Sequence, residues 1–259
     1  MPFRPRFLSG SASAAKPSRR PTPSSPRASG LSALARRSLG AVLGTLLLSV
    51  AVAGAVSAQQ GGERRGGPGG DFDFYVLALS WSPGFCAAGG GDEKVRDQCQ
   101  WGSGLGFVVH GLWPQYERGF PSECSPAGRS PSRIAMEAAK GVYPDEGLAR
   151  YEWRKHGTCS GLSPSDYFSA VRSARDKVVI PPNLKEPKAD QTWTGVDLER
   201  AFIAANPGLR RDMLSVSCKG EVLQEVRICF TRDLRDFQTC PEVDRRGCRA
   251  REIRVPAVR

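Results

Sequence analysis

Residues 151–160 read Tyr-Glu-Trp-Arg-Lys-His-Gly-Thr-Cys-Ser and hold one of the chain's two histidines, His156. If this segment is helical, each residue turns about 100°, and Tyr151, Glu152, Lys155 and His156 fall within an arc of roughly 140°. Trp153 and Arg154 then point elsewhere, and Gly157 stands where a helix commonly ends. The other histidine, His110, lies in 107–115, Phe-Val-Val-His-Gly-Leu-Trp-Pro-Gln. Imidazole has an unperturbed pKa of about 6.5, so two of them can act as base and acid in one reaction. RNA is a matching substrate, because its 2'-hydroxyl is an internal nucleophile. One imidazole would remove that proton while the oxygen attacks phosphorus. The other would protonate the departing 5'-oxygen. Each transfer could contribute roughly 10²–10⁴-fold, and Lys155 would meet the charge gathering on the phosphate. No metal or cofactor is needed. Spacing alone does not establish this, because a lone histidine is more often a surface or packing residue than a catalyst.

Whether the histidines meet depends on the elements that carry them. Residues 72–81 are rich in strand formers and predict a buried strand, broken by Ser82-Pro83-Gly84. Residues 105–110 predict a second strand in which Val108 and His110 share a face, with Gly111 letting the chain turn directly after the histidine. Residues 117–131 read as a Pro- and Ser-rich loop and 132–140 as a short helix. Ser163, Pro164 and Asp166 mark a helix start. Tyr167, Phe168, Val171, Ala174 and Val178 follow at helical spacing. A second helix is predicted over 196–205, with Thr194 or Gly195 near its cap and Leu198, Ala201, Phe202 and Ala205 as its apolar stripe. Both stripes read as core. Residues 213–217 and 221–230 predict strands.

The 259 residues carry a net charge of +11, but the charge is unevenly placed. Residues 1–58 contain eight Lys or Arg and no acid, and residues 41–53 are an apolar run too short to span a membrane. Together with the small residues before position 59, this predicts a secretory signal over 1–58 cleaved after Ala58. Residues 59–70, Gly-rich with nothing to bury, predict a flexible linker. From residue 59 onward 29 basic groups face 26 acidic ones, so bulk charge is silent about a nucleic-acid partner. Eight cysteines, all between Cys86 and Cys248, predict four disulfides in an exported protein, with on the order of a hundred pairings open. A local bond could close the loop between Cys86 and Cys99. No Cys-x-x-Cys pair occurs, and two histidines are few for zinc, so no metal site is expected.

The segments around His110 and His156 resemble the two active-site segments of the ribonuclease T2 family, the first an H-G-L-W-P run and the second commonly H-E-W-x-K-H-G-T-C. Residues 74–86 resemble the opening strand of bacterial members. The tail from Cys218 through Glu-Val-Arg-Ile-Cys-Phe to Cys240-Pro241 and Cys248 is similar to the family's C-terminal pattern. The resemblance covers 72–248. It implies an α+β fold in which a central antiparallel sheet carries the site and helices pack to one side. It implies His156 as general base, His110 as general acid, and Glu152 and Lys155 orienting and stabilising the phosphate. Trp113 would line a base-binding pocket. The products would be 2',3'-cyclic phosphates, later hydrolysed to 3'-phosphates. The implied disulfides are Cys124–Cys159, Cys218–Cys248 and Cys229–Cys240, leaving Cys86–Cys99.

Two positions depart from the family pattern. Tyr151 replaces the histidine that usually opens the second segment and contacts substrate phosphate. Gln115 stands where some relatives have an acidic residue that reads the base. The expectation is therefore a catalytic domain over 71–259, a monomer acting on RNA without cofactor, periplasmic or secreted, with no membrane partner once the signal is gone. The alternative is an RNA-binding protein on the same scaffold, weakened in catalysis by Tyr151.

Overall fold

The computed structural model describes residues 62–89, 97–124 and 130–259. The expected signal segment, the centre of the Gly-rich loop between Cys86 and Cys99, and part of the 117–131 loop lie outside the described residues. The described chain runs β1 (Glu63–Arg65), β2 (Phe74–Trp81), α1 (Ser82–Ala87), β3 (Phe107–Gln115), β4 (Phe120–Ser122), α2 (Arg133–Ala139), α3 (Glu146–Lys155), α4 (Pro164–Asp176), β5 (Gln191–Trp193), α5 (Gly195–Ala205), β6 (Leu214–Lys219), β7 (Val222–Thr231), α6 (Pro241–Arg245) and β8 (Ile253–Val255). None of these helices is long and apolar enough to cross a membrane.

β2 carries no charged residue and is buried along its whole length, so it can sit between two neighbours. It pairs antiparallel with β3 on one side and β7 on the other. The sheet continues through β8 to β5, and β6 also pairs with β7. Tyr75, Leu77, Leu79 and Trp81 of β2 form one core with Met136 of α2, Trp153 of α3, Tyr167, Phe168 and Val171 of α4, and Leu198 and Phe202 of α5. Phe74 and Val76, from the opposite face of β2, pack instead with Cys229 and Cys240. The large helices thus fill one face of the sheet, and the other is left for the site. Ser163 caps α4 and Thr194 caps α5, each accepting from the backbone N–H three residues on. These are the starts that the sequence predicts.

Three expectations are corrected. The sheet is mixed, because β8 lies parallel to β7 through the Val222–Arg254 pair. The β5 and β8 strands, three residues each, are too short to show a period in the sequence. The chain does not turn after His110. β3 runs on to Gln115, and Gly111 pairs with Ala78. Residues 59–70 do not act as a free linker where they are described. Glu63–Arg65 pairs in parallel with Phe120–Ser122, and the Gly70 N–H donates to the Cys159 carbonyl at 2.9 Å. Backbone pairing needs no apolar side chain, which is why composition misses it.

Four disulfides join Cys86 to Cys99, Cys124 to Cys159, Cys218 to Cys248 and Cys229 to Cys240. These are the partners the family resemblance implies.

Candidate active site

His110 is placed by an irregularity in β3. Val109 pairs with Leu79, but Gly111 pairs with Ala78, so two steps on β3 match one on β2 and His110 is the extra residue of a β-bulge. In a regular strand, His110 and Trp113, three apart, would point to opposite faces. The bulge turns both to the open face. Their rings lie 5.2 Å apart in an edge-on arrangement. Gly111 is needed there for space rather than for a turn, since a Cβ would overlap Glu152 Oε2 and Trp113 Nε1.

α3 brings the second histidine. Asp145 caps it, its carboxylate accepting from Leu148 N–H at 2.7 Å. The helix ends at Lys155, and His156, with φ −120°, is the first residue outside it. Residues 157–159 then form a short 3-10 turn. Trp153 faces the core, whereas Glu152 and His156 are buried towards the sheet and Tyr151 stays 43% exposed. The end of α3 is fastened to the segment after β4. Glu123 N–H donates to Lys155 O at 2.8 Å, Cys124 N–H to Thr158 Oγ1 at 3.2 Å, and the Cys124–Cys159 bond crosslinks the same two stretches.

These elements meet around a cavity of about 300 Å³ lined by His110, Trp113, Gln115, Phe120, Tyr151, Glu152, Lys155, His156 and Arg227. Every residue that the sequence nominates for catalysis or substrate contact is among them. The Trp113 ring lies 5.4 Å from His156, and its indole N–H donates to Glu152 Oε2 at 2.8 Å. The ring of Phe120 lies 6.2 Å from His156. Glu152 Oε1 stands 3.6 Å from His110 Nε2.

Sequence reasoning missed two residues of β7. Glu225 pairs with Ser80 and Arg227 with Ala78, on the open face. Glu225 Oε1 hydrogen-bonds His110 Nδ1 at close range. Arg227 donates twice to Glu225 Oε2, at 2.8 and 3.0 Å, and its guanidinium lies 5.5 Å from the centre of the Trp113 ring. The signal was present: in Glu-Val-Arg-Ile-Cys, polar residues alternate with Val226 and Ile228, so Glu225 and Arg227 share one face.

The two imidazoles are driven apart in acidity. Burial, reinforced by repulsion from Lys155 and His110, lowers His156 to about 3. Its Nδ1 is buried without a hydrogen-bond partner among the described residues. At His110 burial acts in the same direction, but the Glu225 hydrogen bond and charge, aided by Glu152, outweigh it and raise the pKa. Glu225, despite its burial, is held at about 2 by the His110 hydrogen bond and charge and by Arg227. Glu152 is pushed up to about 7 by burial, which His110 and the Trp113 N–H only partly offset. The cavity therefore holds one imidazole pushed towards its neutral form and one drawn towards its charged form, with Lys155 and Arg227 in the same lining.

Comparison with known proteins bears on the family. The Ribonuclease T2 family pattern matches residues 72–240. A ribonuclease of Aeromonas hydrophila is 40% identical over 184 residues, covering 68% of this chain and 80% of its own. Among solved structures, an RNase-related protein from Calystegia sepium matches with a TM-score of 0.56 at 24% identity, covering 73% of this chain and 98% of its own. A variant of RNase MC1 in complex with 5'-UMP matches with a TM-score of 0.54 at 20% identity, covering 70% and 97%.

Proposed function

The chain belongs to the ribonuclease T2 family and is an endoribonuclease, and from that premise we propose that it cuts RNA by metal-independent transphosphorylation. One observation carries the reading: two imidazoles line a single cavity, one pushed towards its neutral form by burial and the other drawn towards its charged form by Glu225. His156 takes the 2'-hydroxyl proton. With its Nδ1 walled off, Nε2 is the nitrogen that does so. The O2'–P bond forms, the P–O5' bond breaks, and His110 delivers its proton from Nε2 to O5'. Glu225 holds His110 by Nδ1, which fixes the ring and keeps it charged. The products are a 2',3'-cyclic phosphate and a free 5'-hydroxyl. Hydrolysis reverses the roles: His110 takes a proton from water, His156 returns one to O2', and a 3'-phosphate remains.

Lys155 meets the charge on the non-bridging oxygens. Glu152, half-protonated near neutral pH, can donate a hydrogen bond to one of them where an ionised carboxylate would repel it. The base lies against Trp113 and Phe120 with Gln115 within the same cavity, and Tyr151 offers a hydroxyl from the rim. The binding of 5'-UMP by the RNase MC1 variant supports a nucleotide in such a fold. The grouping of His110, His156 and Lys155 around one cavity supports catalysis over the non-catalytic alternative that Tyr151 suggests. The disulfides support action in the periplasm or outside the cell, where thiols stay oxidised.

The test is to incubate the oxidised protein with defined dinucleotides in excess chelator and identify the products. Cyclic phosphate is expected. Activity that vanishes with chelator rules out metal independence, and a wild type no faster than His156→Ala ends the reading.

A further inference from the structure

Residues 62–71 precede the stretch matched by the family pattern, yet they are fastened beside the cavity at both ends. At one end β1 runs parallel to β4, pairing Glu63 with Phe120, Arg64 with Pro121 and Arg65 with Ser122. At the other, Gly69 and Gly70 press against the turn that follows His156. A Cβ on Gly69 would stand 2.8 Å from Thr158 O, and Gly70 O accepts from Arg232 Nη2 at 2.6 Å. The strap is therefore held in register with the catalytic turn.

Paired residues of neighbouring strands project to the same face. Phe120 projects into the cavity, so Glu63 and Arg65 lie on the cavity side, and Arg64 turns away to stack on Tyr116 at 4.8 Å. Ser122 Oγ donates to Glu63 Oε1 at 2.8 Å, consistent with that facing. Glu63 is held below the ordinary carboxylate value by the Ser122 hydrogen bond first, then by Arg65 and more weakly by Lys155. Arg65 in turn feels Glu63, Glu123 and Tyr151. A row of charges, Arg65, Glu63 and Lys155, thus borders the rim. The Arg65 side chain is 63% exposed, and its one ion pair among the described residues is with Glu63, at 3.1 Å. An exposed pair of this kind holds weakly, and a phosphate can replace the carboxylate.

We propose that Arg65 forms a second phosphate-binding subsite, taking the backbone phosphate on the 5' side of the nucleotide whose 2'-hydroxyl attacks. This rests on the catalytic reading above. On that reading His156 meets the ribose and Trp113 and Phe120 its base, and the strand paired with Phe120 holds Arg65 beside the same rim, within electrostatic reach of Tyr151. The ligand is a phosphodiester or terminal 5'-phosphate of single-stranded RNA.

Binding of uncleavable 2'-deoxy dinucleotides, with and without a 5'-phosphate, tests the subsite apart from catalysis. The wild type should bind the phosphorylated form roughly three- to tenfold more tightly. Arg65→Ala should erase that ratio and leave the affinity for the 5'-hydroxyl form unchanged. For a longer single strand it should also flatten the slope of log K against log salt by about 0.7. Arg65→Lys should keep part of the preference. Arg200→Ala, which removes an exposed charge from α5, should keep all of it. Equal affinities in the wild type, or a preference that survives Arg65→Ala, overturns the proposal. Failure of the catalytic reading shows separately, as the absence of cyclic phosphate from the ribose dinucleotides.

Discussion

The surroundings of His110 and of His156 are built on opposite plans. His110 sits on a strand, half-exposed, with a carboxylate on Nδ1 and a second carboxylate near Nε2. His156 sits just past the end of a helix, 7% exposed, beside Lys155 and with a buried nitrogen that has no partner among the described residues. One environment favours the charged ring, chiefly through Glu225, and the other offers no carboxylate to support it. On the proposed mechanism the same side chain is acid in one place and base in the other, with neighbours rather than residue type dividing the labour.

The most drastic way to break this contrast is to delete either ring. His110→Ala and His156→Ala should each lower kcat on a dinucleotide by roughly 10²–10⁴-fold, with circular dichroism unchanged. If the rings act as a unit, the double variant should lose little more than the worse single one.

Glu225→Gln should make the two environments more alike. We expect kcat/KM near neutral pH to fall by about 10–100-fold. On the proposed mechanism, wild-type activity needs His110 protonated and His156 neutral. It should hold from well below the ordinary histidine value, because His156 is at about 3, and decline only as pH rises through the raised His110 pKa. Without the carboxylate that alkaline decline should begin at lower pH. Stability follows the same logic. Glu225, depressed to about 2, stabilises the fold above its unfolded value and loses that contribution as pH falls towards 2. His110, with its pKa raised, stabilises below its unfolded value and loses that as pH rises through the folded one. The pair should matter most between about pH 4.5 and 6.5, and thermal melts of wild type and Glu225→Gln should converge at the acid end.

Gly111→Ala tests the distance between the two regions. The new methyl group would displace Glu152 or Trp113, and we expect a loss of about 1–3 kcal/mol in stability with a fall in kcat of roughly tenfold. Unchanged melting and rate would mean that α3 can retreat freely. The smallest effect is expected at Tyr151. Tyr151→His adds a titratable cation at an exposed rim position, and kcat/KM on polymeric RNA should rise by less than about tenfold.

The helices could be read from the sequence because their signals are local. Ser163 caps where its pairing with Asp166 predicts, and of the two cap candidates for the next helix, Thr194 and Gly195, it is Thr194 that accepts the bond. The convergence of His110 and His156 could be inferred only through family resemblance, since nothing local ties residue 110 to residue 156. Gly111 was misread because a glycine after an apolar run marks a turn far more often than a contact with a distant helix. Glu225 was overlooked because its partner lies 115 residues away, although its strand was expected. The strap is hidden by composition, since much of its hold on the domain comes from backbone pairing that every sequence can supply.

Anyone wishing to move this chemistry onto another scaffold would have to carry over a defect along with the motif. Copied into an evenly paired ribbon, the histidine and the tryptophan would emerge on opposite sides, and the reaction centre would be split in two by its own backbone. The one unpaired residue is the hinge of the recipe, and a graft that tidied it away would inherit every letter and none of the activity.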